Sequence, residues 1–158
     1  MVGSMRKGVQ GFVALLRALS EQEARFMVVG AHAVAHHGHL RATEDLDLWI
    51  DNSPGNASRV YEALAEAGAL TRDISVDALT EPGVAYPLGE EPFRIDILTE
   101  IRGVAFDDAW PRRVTGRVHG EPCPVLGLDD LLANKRATGR LKDLLDAESL
   151  ERVHRRRG

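Results

Sequence analysis

Asp45-Leu46-Asp47-Leu48-Trp49-Ile50 is the stretch that decides how this chain folds. Acidic and apolar residues alternate along it, which is the period of a half-buried β-strand. In a strand, residues i and i+2 share a face, about 6.6 Å apart along the chain. Asp45 and Asp47 therefore share one face, and Leu46, Leu48 and Ile50 take the other. Trp49 follows the aspartates on their face and reads as packing. Phe93-Arg94-Ile95-Asp96-Ile97-Leu98 repeats the alternation. It places Arg94 with Asp96 and buries Phe93, Ile95 and Ile97. If the two strands are neighbours, Asp45, Asp47 and Asp96 converge. Three carboxylates held that close repel one another unless a cation neutralises them. Hard oxygen donors suit Mg²⁺ or Mn²⁺, which also hold substrate phosphates. Spacing alone leaves a second reading open, in which the aspartates are the solvated face of two amphipathic strands. Aspartate is a poor strand former, which weighs against it.

Upstream, Arg25-Phe26-Met27-Val28-Val29 reads as a short buried strand that ends at Gly30, and Ala31 to His37 as a helix that starts there. Exposed amides at such a turn attract phosphate. A first amphipathic helix carries Phe12, Leu15, Leu16 and Leu19 within Gly11 to Leu19. Asn52-Ser53-Pro54 signals a helix start, and that helix runs on to about Gly68. Val84 to Leu88 reads as an edge strand, because Pro87 forbids a central one. Arg113–His119 and Cys123–Leu126 read as a hairpin turning near Gly120. Helices follow over about Leu128–Thr138 and Lys142–Arg152, separated by Gly139. The class is α+β: a mixed sheet covered by helices, with C-terminal helices. One domain is expected over residues 6–158, its sheet-containing core over about 26–126.

The chain has 158 residues, 44% hydrophobic and 28% charged, enough to build a core without staples. Its one cysteine, Cys123, excludes an intrachain disulfide and a cysteine-ligated metal centre and reads as structural. A reducing, cytoplasmic setting follows. No apolar run reaches the roughly 18 residues of a membrane span, and Met1-Val2-Gly3-Ser4-Met5 carries no apolar signal core. The net charge of −4 argues against a surface that grips nucleic acid throughout. Locally, Ala133 to Gly158 holds 8 basic and 4 acidic residues, a balance of +4 that suits RNA or an acidic protein. Arg155-Arg156-Arg157 reads as a frayed, solvated tail.

Taken together, Gly30-Ala31, Arg41-x-Thr43-x-Asp45-x-Asp47 and Asp96 resemble the signature of the DNA polymerase β-like nucleotidyltransferase superfamily. The similarity is greatest to small bacterial minimal nucleotidyltransferases and AbiEii-type toxins. In that group the closing segment reads like Leu131-Leu132-Ala133-Asn134-Lys135-Arg136-Ala137 followed by Gly139-Arg140-x-Lys142-Asp143. The resemblance implies transfer of a nucleoside monophosphate from a nucleoside triphosphate such as ATP, with release of pyrophosphate. Asp45, Asp47 and Asp96 would be the catalytic, Mg²⁺- or Mn²⁺-binding residues, and Asp96 would help deprotonate the attacking hydroxyl. The amides after Gly30, at Ala31 and His32, would hold phosphate, with Arg41 and Lys135 neutralising it and Thr43 fixing the loop. Arg94 would support the site, and Asp143 would orient Lys135 or Arg140. The acceptor would be a protein, a tRNA end or a small molecule, and a cognate antitoxin a further partner. Ala31 stands where the family has Ser or Gly. Alanine keeps the amide but lacks the hydroxyl and resists positive φ, and the implied alternative is a weakened, nucleotide- or partner-binding regulator of the same fold. His32 and His36, at i and i+4, lack a third zinc ligand, so His32 is expected beside phosphate or buried and hydrogen-bonded.

Overall fold

The computed structural model describes residues 8–40, 45–90 and 92–157. Its centre is a six-stranded mixed sheet. The strands are β1 (Phe26–Val29), β2 (Leu46–Ile50), β3 (Ala85–Leu88), β4 (Ile95–Leu98), β5 (Val114–Val118) and β6 (Glu121–Val125), in the order β3-β4-β2-β1-β6-β5. Each strand read from the sequence is present; the first five are shortened by a residue or more, and β6 starts two residues earlier than read and ends one residue earlier. Pro87 lies on β3, an edge strand, as its missing N–H requires.

The pairing that matters is β2 with β4. They run parallel, with Leu46 opposite Ile95, Asp47 opposite Asp96 and Leu48 opposite Ile97. Leu46, Leu48, Ile50, Ile95 and Ile97 are fully buried on one side. The acidic face is the other one. Trp49 packs edge-on against Phe106, 5.0 Å between ring centres, so the packing role holds. β1 lies antiparallel to β2 and delivers Gly30 to the level of Asp47, since Val29 pairs with Asp47. On its far side β1 meets β6 at one register pair, Val28 with Val125, tied by the Leu126 N–H to the Val28 carbonyl. Pro122 and Pro124 have no N–H to extend that ladder.

Around the sheet lie α1 (Val9–Glu21), α2 (Gly30–His36), α3 (Pro54–Glu66), α4 (Val76–Thr80), α5 (Phe106–Ala109), α6 (Leu128–Thr138) and α7 (Leu141–Arg157). α1 buries Phe12, Leu15, Leu16 and Leu19, the stripe its spacing predicts, and packs on α3 and β6. α3 starts at Pro54 as expected, but Ser53 makes no side-chain cap. Asn56 anchors that end instead, accepting from the Arg25 N–H (2.7 Å) and donating to the Arg25 and Asp51 carbonyls. α6 ends on Gly139, whose φ of +69° no side chain favours and whose missing Cβ would meet nothing. α7 runs to Arg157, so the three arginines are exposed but helical, not a frayed tail. His154 Nε2 lies 2.9 Å from the His37 carbonyl oxygen and holds that end of α7 against the turn after α2. Cys123 is buried, and burial pushes its thiol up to about 11. Among the described residues no helix is long and apolar enough to cross a membrane.

Candidate active site

β1, β2 and β4 raise their ends into a cleft of about 840 Å³ that the α6–α7 hairpin closes from the other side. One end of the cleft is acidic, lined by Asp45, Asp47 and Asp96 with Gly30, Ala31 and Arg94. The other end carries Asn134, Lys135, Thr138, Arg140, Lys142 and Asp143.

The acidic end is built from the two strand registers. Asp47 and Asp96 sit directly across the parallel pair and lie within hydrogen-bonding reach of each other. Burial first, then the charges of Asp96 and Asp45, push the Asp47 carboxyl up to about 6, with Lys135 pulling the other way. Gly30 makes room for this carboxylate. Its φ is +65°, and a Cβ there would come within 2.2 Å of Asp47 Oδ2. The glycine is thus required for backbone conformation and for space at once. Ala31 lies inside α2 without a positive φ, so alanine is unstrained there, while the hydroxyl of a serine is still missing. Arg94 reaches Asp96 at 3.4 Å and Asp45 at 4.0 Å. Asp45 is the most open of the three, with 37% of its side chain exposed. As the side chains stand, no three His, Cys, Asp or Glu groups among the described residues surround a common point. The donor set nevertheless fits a hard divalent cation. All its atoms are carboxylate oxygens, two meet across one register pair, and the like charge that helps push the Asp47 carboxyl up to about 6 is what a cation would neutralise.

The opposite end is arranged differently. Lys135 is nearly buried and donates to Asp143 at 2.9 Å, with Asp146 at 3.2 Å. Asp143 also accepts from the Thr138 hydroxyl (2.6 Å) and Arg140 Nε (2.7 Å). Burial works against its charge, but these bonds outweigh burial and hold the Asp143 carboxyl down at about 2. Asp143 thus orients both Lys135 and Arg140. Lys135 is clamped by two carboxylates, so Arg140 and Lys142 are the open cations at this end.

His32 is placed elsewhere. It does not line the cleft; its ring meets Phe12 at 6.1 Å and His119 at 6.2 Å, and its buried Nε2 has no hydrogen-bond partner. Burial lowers its pKa, with His119 adding to the effect. The hydrogen bond expected of a buried His32 is not made at Nε2. Arg41 and Thr43 lie outside the described residues, as do Met1 to Met5. Sequence reasoning missed Asp146, Asn134 and Thr138. For Asp146 a signal existed: it stands three residues after Asp143 on α7, the spacing that returns a side chain to the same helix face.

A family model matches residues 9–157, nearly the whole of the chain. The chain belongs to the family described as nucleotidyl transferase of unknown function (DUF2204). The crystal structure of TM1012 from Thermotoga maritima, provisionally named a nucleotidyltransferase, superposes with a TM-score of 0.53. That likeness covers 92% of this chain and 93% of the other at 17% identity, and it shows the nucleotidyltransferase fold. No curated protein matches the chain. Within this nucleotidyltransferase family, the cleft between the acidic strands and the α6–α7 hairpin is the candidate active site.

Proposed function

We propose that this nucleotidyltransferase is divalent-cation dependent and moves a nucleoside monophosphate from a nucleoside triphosphate to a hydroxyl group of RNA or protein. The observation that carries this reading is the juxtaposition of Asp47 and Asp96 in a cleft whose far end is cationic. Asp47 and Asp96 would hold Mg²⁺ or Mn²⁺, with Asp45 as the third carboxylate. Bound there, the cation neutralises phosphate charge and polarises the phosphoryl oxygens. The chain's own groups supply the rest. Gly30 and Ala31 present backbone to the triphosphate. Arg140 and Lys142 face its outer phosphates, and positioned cations of this kind carry much of phosphoryl-transfer catalysis. The acceptor oxygen bonds to the α-phosphorus, the bond from that phosphorus to the bridging oxygen breaks, and pyrophosphate leaves. The hydroxyl proton passes to Asp96.

The test is incubation with α-labelled triphosphates, Mg²⁺ or Mn²⁺, and total RNA or total protein. Label should enter one of the two pools, and Asp47→Asn should abolish it. Label in neither pool, with no pyrophosphate released, contradicts the reading. A toxin–antitoxin setting, with a cognate antitoxin as partner, belongs to the same proposal. Expression of the wild-type chain should then arrest growth, and expression of Asp47→Asn should not.

A further inference from the structure

The strand that carries Asp96 ends at Leu98, and the loop after it is fixed from both sides. The Thr99 hydroxyl accepts from the Val84 N–H at 2.9 Å and donates to the Val84 carbonyl at 3.2 Å. Asn134 on α6 donates to the Arg102 carbonyl at 2.9 Å. Gly103 lies so close to α6 that a Cβ would stand 2.6 Å from Ala137 Cβ. Ile101 bridges to Val104. A loop held at four points fixes the backbone from which its side chains project, which is what a recognition site needs.

Two charged side chains stand on this loop, Glu100 and Arg102. Neither has a hydrogen-bond or ion-pair partner among the described residues, and they do not pair with each other. Both line the catalytic cleft, and both also line an adjoining hollow of about 660 Å³. The remaining walls of that hollow are small or apolar, among them Val84, Ala85, Leu98, Ile101 and Ala137. The Glu100 carboxylate lies against the turn before β3, since a Cβ on Gly83 would come within 3.2 Å of its Oε2. Glu100 stands four residues after Asp96, beyond a bend at Thr99, so the two lie at most about 13 Å apart along the chain. That separates phosphate chemistry at one end from recognition at the other by about the reach of a nucleoside.

We propose that the second hollow receives the nucleobase of the triphosphate and that Glu100 and Arg102 read its edge, selecting guanine. The proposal rests on the nucleotidyltransferase reading above. A carboxylate only accepts, and a guanidinium only donates. Guanine alone of the four bases offers adjacent N1–H and N2 amine donors to both oxygens of a carboxylate, with O6 and N7 free for the guanidinium. Cytosine and adenine give Glu100 one amine. Uracil brings carbonyl oxygens on either side of its single N–H, which a carboxylate repels. The expected order of binding is guanine first, cytosine and adenine next, uracil last.

The test is equilibrium binding of the α,β-methylene analogues of GTP, ATP, CTP and UTP to the full chain with Mn²⁺. The guanine analogue should bind roughly tenfold or more tightly than the adenine one, the size expected from charge-assisted bonds. The inosine analogue, which lacks the N2 amine, should fall between them. Glu100→Ala should weaken the guanine analogue most and bring it within about twofold of the inosine analogue, because the N2 amine is then unread, and Arg102→Ala should cost the guanine and inosine analogues alike. Both side chains are exposed, so circular dichroism should show both variants folded. Base-indifferent binding by the wild type, or a preference for guanine over inosine that survives Glu100→Ala, overturns the assignment and leaves the nucleotidyltransferase reading intact. Failure of all four analogues to bind with Mn²⁺ overturns both.

Discussion

Carboxylates stand at both ends of the cleft, in opposite electrostatic settings. At the hairpin end, Asp143 and Asp146 surround Lys135, and Thr138 and Arg140 complete the coordination of Asp143, whose carboxyl is held down at about 2. At the strand end, Asp47 faces Asp96 with Arg94 as the cation beside Asp45 and Asp96, and the Asp47 carboxyl is pushed up to about 6. The first cluster is satisfied by the protein and serves stability. In the second, the fold has forced like charges together, and burial and repulsion outweigh the pull of Lys135 on Asp47. Conflict of this kind inside an otherwise well-packed chain marks a functional site.

The comparison can be broken by substitution at either end. Asp47→Asn should lower nucleotide transfer by about 10²–10³-fold or more, the usual size for removing one electrostatic element of a transition state. Activity that survives this change would refute the strand-end assignment. Lys135→Ala should destabilise the fold by about 3–5 kcal/mol, because it leaves two buried carboxylates facing each other. Urea unfolding measures it, and a change under about 1 kcal/mol would show that the hairpin cluster is not structural. In chelator-treated protein Asp47→Asn should act in the opposite sense and raise stability by about 1–3 kcal/mol at pH 7.5, since it removes repulsion.

The pH dependence sharpens the same contrast. The folded-state pKa of Asp47 lies above its ordinary 3.8, so between about 4 and 6 the folded chain holds a proton that the unfolded chain has lost. Its contribution to stability is therefore greatest below about pH 4 and is lost as pH rises through 6. Asp143 is shifted the other way, so its contribution is present above the ordinary 3.8 and is lost as pH falls towards 2. Relative to Asp47→Asn, chelator-treated wild type should lose stability from pH 4 to 7. The smallest effect is expected at His32. Replacing it with phenylalanine should leave transfer unchanged and stability equal or up to about 1 kcal/mol higher, because the buried Nε2 has no partner to lose.

Much of this arrangement could be read from the chain. Alternation gave β2 and β4, and with them the shared face of Asp45, Asp47 and Asp96; the sheet order then made them neighbours. Pro87 marked an edge and Gly139 a helix end, each because one residue type has one backbone consequence. The short helices Val76–Thr80 and Phe106–Ala109 were not legible, since barely a turn of helix has no period to detect. The arginines after Arg152 hid the end of α7: they lack an apolar period, yet they are good helix formers placed where they complement the helix dipole. The setting of Lys135 depends on Asp146 from the next helix, a contact that only the tertiary fold supplies. The fixed loop bearing Glu100 and Arg102 carries no sequence pattern at all. Its order comes from Val84, Asn134 and Ala137, which lie far from it in the chain.

Manganese binding at pH 7.5, measured by calorimetry on the wild type, Asp47→Asn and Asp96→Asn, tests the central claim most directly. The account expects binding to the wild type, weakened by at least roughly tenfold in each variant and weakened below pH 6 as protons compete for the same oxygens. No binding to the wild type, or equal binding by all three proteins, would contradict it.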